Sequence, residues 1–367
     1  MVKVTYTGKM NIGGSGIGTT SFHQVKPLVE ADMLETVYSP GIELSRLFKN
    51  PAEATFKHVT TPDVGGPYEV QDIFFDGFVS TVMERTPNPE ILMSWANHCL
   101  FTMRSLPFST TIVTLHSAHP TLTESILKHE VGWRPRELLT LKCAKELEEC
   151  NHILTSSEWV RNSLIPFGLE YKAKIIPLGA DLERFHPGEK TDDTFRVIFV
   201  GSNWIQKGLL YLLEAWKNLK LKDAELVIAG IKQEVGQQII KQIMKTHIPN
   251  IKWGWFSRDE LAAAYRNSDV MCLPSLQDGF GLVVVEAMAS GIPVIVSENT
   301  GASQHVYNGR EGFVVPAKSV SALETYIEAL YHDRAQARKM GKRGVKMAEN
   351  FTWERSEREY LKWMQSL

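Results

Sequence analysis

The chain has 367 residues, of which 43% are hydrophobic, and its 40 Lys and Arg residues nearly balance 42 Asp and Glu residues. This length predicts two domains, and the composition excludes a disordered or fibrous protein. The balanced charge lacks the broad basic field typical of nucleic-acid-binding proteins, so we expect no nucleic-acid partner.

Signals for export and for structural metal binding are absent from the sequence. Residues 1–6 lack the apolar core of a signal peptide, and no run of about 18 apolar residues predicts a membrane span. The four cysteines have no metal-type spacing and suit a reducing compartment. The sequence therefore predicts a cytoplasmic protein.

The first half of the chain opens like a nucleotide-binding unit. Residues 2–6 alternate between apolar and polar, which predicts a strand, and a glycine-rich turn (8–18) and a helix from Thr19 follow it. A strand, a glycine turn and a helix open many nucleotide-binding α/β folds. The further elements predicted in this half are strand 112–115, helix 136–150 and strand 153–156.

The second half shows a regular alternation of strands and helices. It begins after a segment rich in Pro, Gly and polar residues (177–194), which predicts a domain boundary. The predicted strands are 196–200, 225–229, 251–253, 270–273 and 293–296. The predicted helices are 209–219, 233–246, 259–267, 282–290 and 353–364. Repeated β-α units predict a parallel sheet with right-handed crossovers.

The fold class predicted from these patterns is α/β, with two Rossmann-like domains that face each other. We expect the first domain to comprise residues 1–187 and the second residues 188–349. The last helix, within residues 350–367, is expected to pack back on the first domain.

The strongest candidate site lies in residues 275–289. This segment follows a strand and opens a helix, so its glycines allow a close backbone approach and its free N–H groups can bind an anion. Asp278 and Glu286 are carboxylates that can accept hydrogen bonds from sugar hydroxyls and from a ribose diol. N–H groups that can donate to a phosphate, placed between two such acids, are typical of a nucleotide-sugar site. The alternative interpretation is a surface loop before a capped helix.

The whole segment resembles the Glu-x7-Glu motif of retaining GT-B glycosyltransferases, in particular family 4 (glycosyl transferases group 1). That motif has an acid, Gly-Phe-Gly, an aliphatic run and Glu-Ala-Met, and here Asp278 takes the place of the first Glu. Ser202 stands where the family often has an Arg. Other segments that resemble the family are 177–187, 199–208, 254–265, 291–295 and 312–315.

The resemblance implies a GT-B fold whose second domain holds a nucleotide-diphosphate sugar and whose first domain holds an acceptor hydroxyl. It implies that Lys207 stabilises the leaving diphosphate together with the helix that begins near Gly281. The residues expected to be catalytic are His116, Lys207 and Asp278. Those expected to bind the donor are Gly14, Gly201, Ser202, Lys207, Gly254, Trp255, Asp278, Gly279, Phe280, Gly281, Leu282 and Glu286.

Individual roles follow from the same resemblance. Glu286 is expected to hold the ribose, Asp278 the transferred sugar, and His116 the sugar near its reacting carbon. Each of these positions has a plainer alternative: Lys207 as a solvated loop lysine, His116 as a structural histidine, and the glycine turn with Gly14 as only a turn.

The resemblance implies a retaining, metal-independent, hexosyltransferase-type glycosyl transfer. The donor is a UDP-, GDP- or ADP-linked sugar, and the acceptor is an unidentified hydroxyl of a glycan, lipid or small molecule. The resemblance also implies that no metal or other cofactor is needed. In agreement with this, no Asp-x-Asp motif stands out, and no third metal ligand is evident beside the His116/His119 pair. A nucleotide-sugar epimerase or a phosphorylase on the same fold, and a non-catalytic sugar-nucleotide-binding protein, are the alternatives.

A basic run near the C-terminus has helical spacing. It consists of Arg334, Arg338, Lys339, Lys342, Arg343 and Lys346. A solvated helix face is one interpretation, and contact with an anionic membrane surface is the other. Peripheral contact with the inner face of the membrane therefore stays open.

Overall fold

The computed structural model describes residues 2–9, 11–12, 17–42, 57–62, 68–85, 89–106, 109–133 and 136–367. The chain divides into two compact units. Unit 1 comprises Met1–Glu124, Pro135–Leu178 and Trp353–Leu367, and unit 2 comprises Ser125–Arg134 and Gly179–Thr352.

Strands and helices alternate along most of the described chain. The strands are β1 (Val4–Thr7), β2 (Asn11–Ile12), β3 (Leu34–Ser39), β4 (Gly41–Ile42), β5 (Lys57–Thr60), β6 (Ile91–Trp95), β7 (Thr110–Leu115), β8 (His152–Thr155), β9 (Ala173–Ile175), β10 (Phe195–Val200), β11 (Ala224–Ala229), β12 (Ile251–Gly254), β13 (Val270–Leu273), β14 (Val294–Ser297) and β15 (Gly312–Val315). The helices are α1 (Ile17–Glu30), α2 (Tyr68–Met83), α3 (Leu100–Arg104), α4 (Pro120–Leu127), α5 (Glu137–Glu149), α6 (Glu158–Ser163), α7 (Leu209–Leu219), α8 (Gln233–Ile239), α9 (Arg258–Arg266), α10 (Leu282–Ala289), α11 (Val320–His332), α12 (Arg334–Ala348) and α13 (Trp353–Met364).

Unit 1 is built on a parallel sheet with the strand order β5-β3-β1-β6-β7-β8-β9 among its described residues. Helices cover both faces of this sheet. On one face, Tyr360 and Met364 of α13 are buried in a cluster with Val25 and Leu28 of α1. The C-terminal helix therefore lies in the core of unit 1, because its apolar face is part of that core.

Unit 2 is built on a second parallel sheet, with the order β12-β11-β10-β13-β14-β15. Its central strands β10, β13 and β14 are almost continuously buried. Buried apolar runs of this kind are typical of parallel sheets with helices on both faces. The predicted α/β class with two parallel-sheet domains is thus confirmed.

The division between the units differs from the predicted boundary at residue 187. Unit 2 already begins at Gly179. The backbone N–H of Ala180 donates to the carbonyl of Phe351 (2.8 Å), and Phe185 is fully buried with its ring against Tyr265 (centroids 5.8 Å apart). These contacts attach the first part of the predicted boundary segment to the core of unit 2.

A short segment from the first half of the chain also belongs to unit 2. Within Ser125–Arg134, the Glu130 carboxylate accepts hydrogen bonds from the Tyr211 hydroxyl (3.1 and 3.2 Å) and pairs with the Lys318 ammonium (2.6 Å). Gly132 has a φ of +84°, and a Cβ there would lie 3.2 Å from the Trp204 ring. This segment, which we call the docking segment, therefore packs against the loop after β10.

The predicted elements of unit 2 agree with the structure to within one or two residues, except for helix 233–246. That helix is α8 followed by a π-helical turn, Ile240–Met244. In unit 1, α1 begins at Ile17, two residues before the predicted start at Thr19. Strands β3 and β6 were not predicted. Gly14 lies outside the described residues. None of the helices in the described ranges combines the length and apolar character needed to cross a bilayer.

Candidate functional site

The topology of unit 2 indicates where a ligand can bind. Its strand pairings are parallel, so the carboxyl ends of the strands lie at one edge of the sheet. The chain runs from β10 outward to β11 and β12, and then continues on the other side with β13, β14 and β15. The switch point therefore lies between β10 and β13, and ligands of open α/β sheets bind in the crevice outside such a point.

The two loops that flank this switch point contact each other. The backbone N–H of Leu276 donates to the carbonyl of Gln206 (2.8 Å). The Lys207 ammonium forms an ion pair with Asp278 Oδ2, and their side chains are only 21% and 10% exposed. The structure thus brings the predicted cation and the predicted sugar-binding acid together at the switch point.

Two glycines allow these loops to turn into their helices. Gly208, before α7, has a φ of +69°, and a Cβ there would lie 2.0 Å from the carbonyl oxygen of Pro274. Gly281, before α10, has a φ of +82°, and a Cβ there would lie 2.6 Å from Thr300 Cγ2. A side chain at either position would be strained and would displace a neighbouring atom. The first N–H groups of both helices are directed toward the carboxyl edge.

The loop that carries Asp278 is fixed by backbone hydrogen bonds. The N–H of Asp278 donates to the carbonyl of Asn299 (2.9 Å), and the N–H of Gly301 donates to the carbonyl of Asp278 (2.9 Å). The predicted donor-binding residues Gly279 and Phe280 are buried, and Leu282 is half-buried. The carboxylate of Asp278 is therefore held by a rigid backbone.

Glu286 is fully buried in α10. Its Oε1 accepts a hydrogen bond from Arg258 Nη1 (2.8 Å), whereas its buried Oε2 accepts none from the residues that the structure describes. The nearby Tyr265 hydroxyl donates to the carbonyl of Val283 (3.2 Å). Burial raises the pKa of Glu286, and the Arg258 guanidinium opposes this rise.

Arg258 was not predicted as a site residue. It is the first residue of α9, behind a capping box of Ser257 and Glu260, and its guanidinium lies 4.7 Å from the centroid of the Phe185 ring. No spacing rule links Arg258 to Glu286, because they lie on different helices. Its ion pair with Glu286 keeps one buried carboxylate oxygen paired, and the other oxygen has no partner among the described residues.

The remaining predicted residues of unit 2 lie at the same carboxyl edge. Gly201 directly follows β10, and the exposed Ser202 comes next. Gly254 ends β12, two strands away from β10, and a Cβ there would lie 2.9 Å from the Phe256 ring. The indole of Trp255 is 65% exposed, so it offers an aromatic face to a planar ligand.

His116 lies in unit 1, directly after β7. Its ring lies 5.0 Å from that of Trp95, and both of its ring nitrogens are buried with no hydrogen-bond partner among the described residues. Burial lowers its pKa to about 4, so the imidazole is neutral near pH 7. The structure therefore does not place His116 in the unit that carries the other predicted site residues.

His119 stacks on the ring of Phe167, with the centroids 3.5 Å apart. Burial lowers the pKa of His119 to about 4 as well. In the described part of the chain, no group of three or more His, Cys, Asp or Glu side chains is arranged to hold a metal ion.

Comparisons with known proteins show a family match within unit 2 and a likeness of the whole fold. Residues 181–347, within unit 2, match the family model described as glycosyl transferases group 1. The D-inositol 3-phosphate glycosyltransferase of Pseudarthrobacter chlorophenolicus is 30% identical over 213 residues, which are 52% of this chain and 49% of that protein. The chain thus spans about half the length of this relative.

Solved structures resemble the whole chain. Sucrose-phosphate synthase from Thermosynechococcus elongatus has a TM-score of 0.79 at 18% identity, covering 99% of this chain and 98% of that one. Anabaena HepE, solved in complex with UDP-glucose, has a TM-score of 0.74 at 15% identity, with 100% of both chains covered. The chain has a GT-B fold. The second unit of this GT-B fold contains the match to the glycosyl transferase family and the paired Lys207 and Asp278.

Proposed function

We propose that the protein is a retaining glycosyltransferase that moves a sugar from a nucleotide-diphosphate sugar to an acceptor hydroxyl. The observation that carries this proposal is the contact between Lys207 and Asp278 at the switch point of unit 2. The family match over residues 181–347 and the likeness to a structure solved with UDP-glucose support it.

In this proposal, Lys207 stabilises the leaving diphosphate. An ammonium group has three N–H donors, so Lys207 can keep its bond to Asp278 while it donates to a phosphate oxygen. The N–H groups at the start of α10 add a second source of positive potential. Together they stabilise the negative charge that gathers on the diphosphate as the bond to the sugar breaks.

Two carboxylates bind the uncharged parts of the donor. Glu286 Oε2, buried and without a partner among the described residues, accepts hydrogen bonds from the ribose diol. Asp278 accepts hydrogen bonds from the transferred sugar. Trp255 stacks against the base, and the shorter reach of Asp278 compared with the usual Glu affects which sugar fits.

The proposed reaction retains the configuration of the anomeric carbon and needs no metal. The acceptor oxygen bonds to the anomeric carbon on the face from which the phosphate oxygen leaves, and that leaving oxygen accepts the acceptor's proton. The neutral imidazole of His116 can donate to or accept from a sugar hydroxyl without adding charge. Lys207 and the start of α10 supply the positive charge that a metal ion supplies in other transferases.

Calorimetric titration of UDP, GDP and ADP into the wild type and into Glu286→Ala tests the donor site. We expect one nucleotide to bind and the variant to bind it about tenfold or more weakly, because hydrogen bonds to a carboxylate contribute ~1.5–3 kcal/mol each. Absence of binding, or equal binding to both proteins, contradicts the proposal.

The reaction itself has separate tests. An inverted anomeric configuration in the product contradicts retention, and loss of activity in a chelator contradicts metal independence. Conversion of a sugar nucleotide without acceptor indicates an epimerase, and binding without release of nucleoside diphosphate indicates a binding protein. Cell fractionation tests the proposed cytoplasmic location.

A further inference from the structure

One helix of unit 2 carries a concentrated positive charge. The 15 residues of α12 include six Lys or Arg and no Asp or Glu. The chain as a whole has a net charge of -2. The exposed cations of α12, which we call the basic stripe, are Arg338, Lys339, Lys342, Arg343 and Lys346.

The opposite face of α12 is packed tightly against the core. A Cβ at Gly341 would lie 1.9 Å from the carbonyl oxygen of Gly291, and one at Gly344 would lie 3.3 Å from Met288 Cβ. Met288 is part of α10, so α12 lies directly on the helix that carries Glu286. This packing fixes the rotation of α12 and keeps its cations on the outer face.

The basic stripe forms no ion pair within the described ranges. None of the ion pairs among the described residues involves its five side chains. Arg343 instead donates to the carbonyl of Gly309 (3.3 Å). At a rise of about 1.5 Å per residue, the stripe is about 12 Å long.

A neighbouring loop extends this surface. The Arg310 side chain is 63% exposed and its guanidinium lies 5.4 Å from the centroid of the Tyr307 ring, which is itself 51% exposed. The acid beside them, Glu311, is only 2% exposed, and it accepts a hydrogen bond from the backbone N–H of Tyr307 (3.1 Å). Arg310 Nε lies 3.6 Å from Glu311 Oε1, so this guanidinium is exposed but paired with the buried carboxylate. The loop therefore presents an aromatic ring and an exposed guanidinium beside the basic stripe.

We infer that the basic stripe, with Tyr307 and Arg310, docks on the surface of a membrane that contains anionic lipids. A helix face with several Lys and Arg side chains is attracted electrostatically to a surface of lipid phosphates. Tyr side chains are enriched at the membrane–water interface. A nucleic-acid strand is favoured less, because such binders combine a basic groove with several stacking aromatics. The inference does not depend on the proposed transfer reaction.

Co-sedimentation of the full chain with lipid vesicles tests this inference. One set of vesicles contains phosphatidylcholine alone, and the other contains phosphatidylcholine mixed with phosphatidylglycerol. We expect binding only to the mixed vesicles, and release at 1 M salt, where the screening length falls to about 3 Å. The variant Lys339→Gln/Lys342→Gln/Lys346→Gln keeps the polar helix face and removes three charges. Each cation near an anionic surface contributes roughly fivefold in affinity, so we expect a loss on the order of 100-fold.

The matched control is Lys222→Gln/Lys232→Gln/Lys241→Gln, which removes the same charge from exposed positions elsewhere in unit 2. Retained binding by this control, together with loss in the stripe variant, supports the inference. Absence of binding to mixed vesicles, equal loss in both variants, or tight binding to a single-stranded RNA with no binding to vesicles overturns it. Nucleotide titration of the same preparations separates this result from the donor-site proposal, because the stripe variant should bind nucleotide like the wild type.

Discussion

Replacing Glu286 by Gln separates the contribution of this residue to ligand binding from its effect on stability. In the folded protein Oε1 is paired with Arg258, whereas Oε2 is buried without a partner among the described residues. A buried carboxylate with one unpartnered oxygen carries a desolvation cost that a neutral amide of the same shape does not carry. Gln keeps the shape and the Oε1 acceptor and removes the buried charge. We therefore expect Glu286→Gln to raise the free energy of unfolding by about 1 kcal/mol at pH 7.

The pH dependence of this gain has a definite sign. Burial raises the pKa of Glu286 above its ordinary value of 4.5, so the folded state binds this proton more readily than the unfolded state. The wild type consequently loses stability as the pH rises from 4.5 through the raised pKa, and the loss is complete above it. The advantage of Glu286→Gln should therefore be present at pH 7 and should shrink as the pH falls toward 4.5.

The same variant should bind nucleotide less tightly. A hydrogen bond to a charged group contributes about 1.5–3 kcal/mol and a neutral one about 0.5–1.5 kcal/mol, so we expect about tenfold weaker binding. Urea unfolding at both pH values and calorimetric titration measure the two effects. Glu328→Gln, at an exposed position of α11, is the control. A Glu286→Gln protein that is less stable at both pH values and binds nucleotide like the wild type would refute the reasoning.

Three further predictions concern Lys207, Gly281 and His116. Lys207→Met should lower the transfer rate by about 10²–10³-fold, because it removes a cation from the leaving group, while Lys222→Met should leave the rate unchanged; steady-state kinetics compares them. Gly281→Ala should lower the free energy of unfolding more than Gly309→Ala does, as measured by denaturant titration. Both positions have a positive φ, but only at Gly281 would the added Cβ clash with a neighbouring atom. Equal losses of stability would contradict this prediction. Unit 1 should lose up to about 3 kcal/mol as the pH falls from 6.5 toward 4, because burial lowers the pKa of His116 to about 4 and the unfolded state then binds the proton more readily. Thermal unfolding of His116→Leu should show a stability that depends less on pH than that of the wild type. An unchanged pH dependence would contradict this prediction.

In unit 2, the sequence predicted β10 to β14 and the helices between them, because their signals lie in short segments of the chain; β15 and α11 were not predicted. Its strands are continuous apolar runs between glycines, and the loops after β10 and β13 carry their polar residues at the strand ends. Parallel strands bring such ends to one edge, so the meeting of Lys207 and Asp278 follows from order along the chain. The pairing of Arg258 with Glu286 could not be predicted, because it depends on how two helices pack.

Unit 1 was harder to predict because much of its order comes from long-range contacts. Lys142 of α5 is buried between Asp76 of α2 (2.8 Å) and Glu146 (2.7 Å), and this cluster has no sequence signature. The Glu146 carboxylate also accepts hydrogen bonds from the backbone N–H groups of Cys99 and Leu100 (3.0 and 3.1 Å). From the sequence alone, this Lys and these two acids are expected at the surface, because their burial depends on how the helices pack. The catalytic and donor-binding roles of all the predicted site residues stay predictions.

The docking segment has a consequence for dissecting this protein. A fragment cut at Gly179 and Thr352 would contain the sheet of unit 2 but lack residues 125–134. Tyr211 and Lys318 would lose their shared partner Glu130, and the Trp204 ring would lose the cover of Gly132 beside the loop that ends in Lys207. Such a fragment should aggregate more readily than a fragment that keeps residues 125–134. A single-chain version of this unit therefore needs residues 125–134 joined back by a flexible linker.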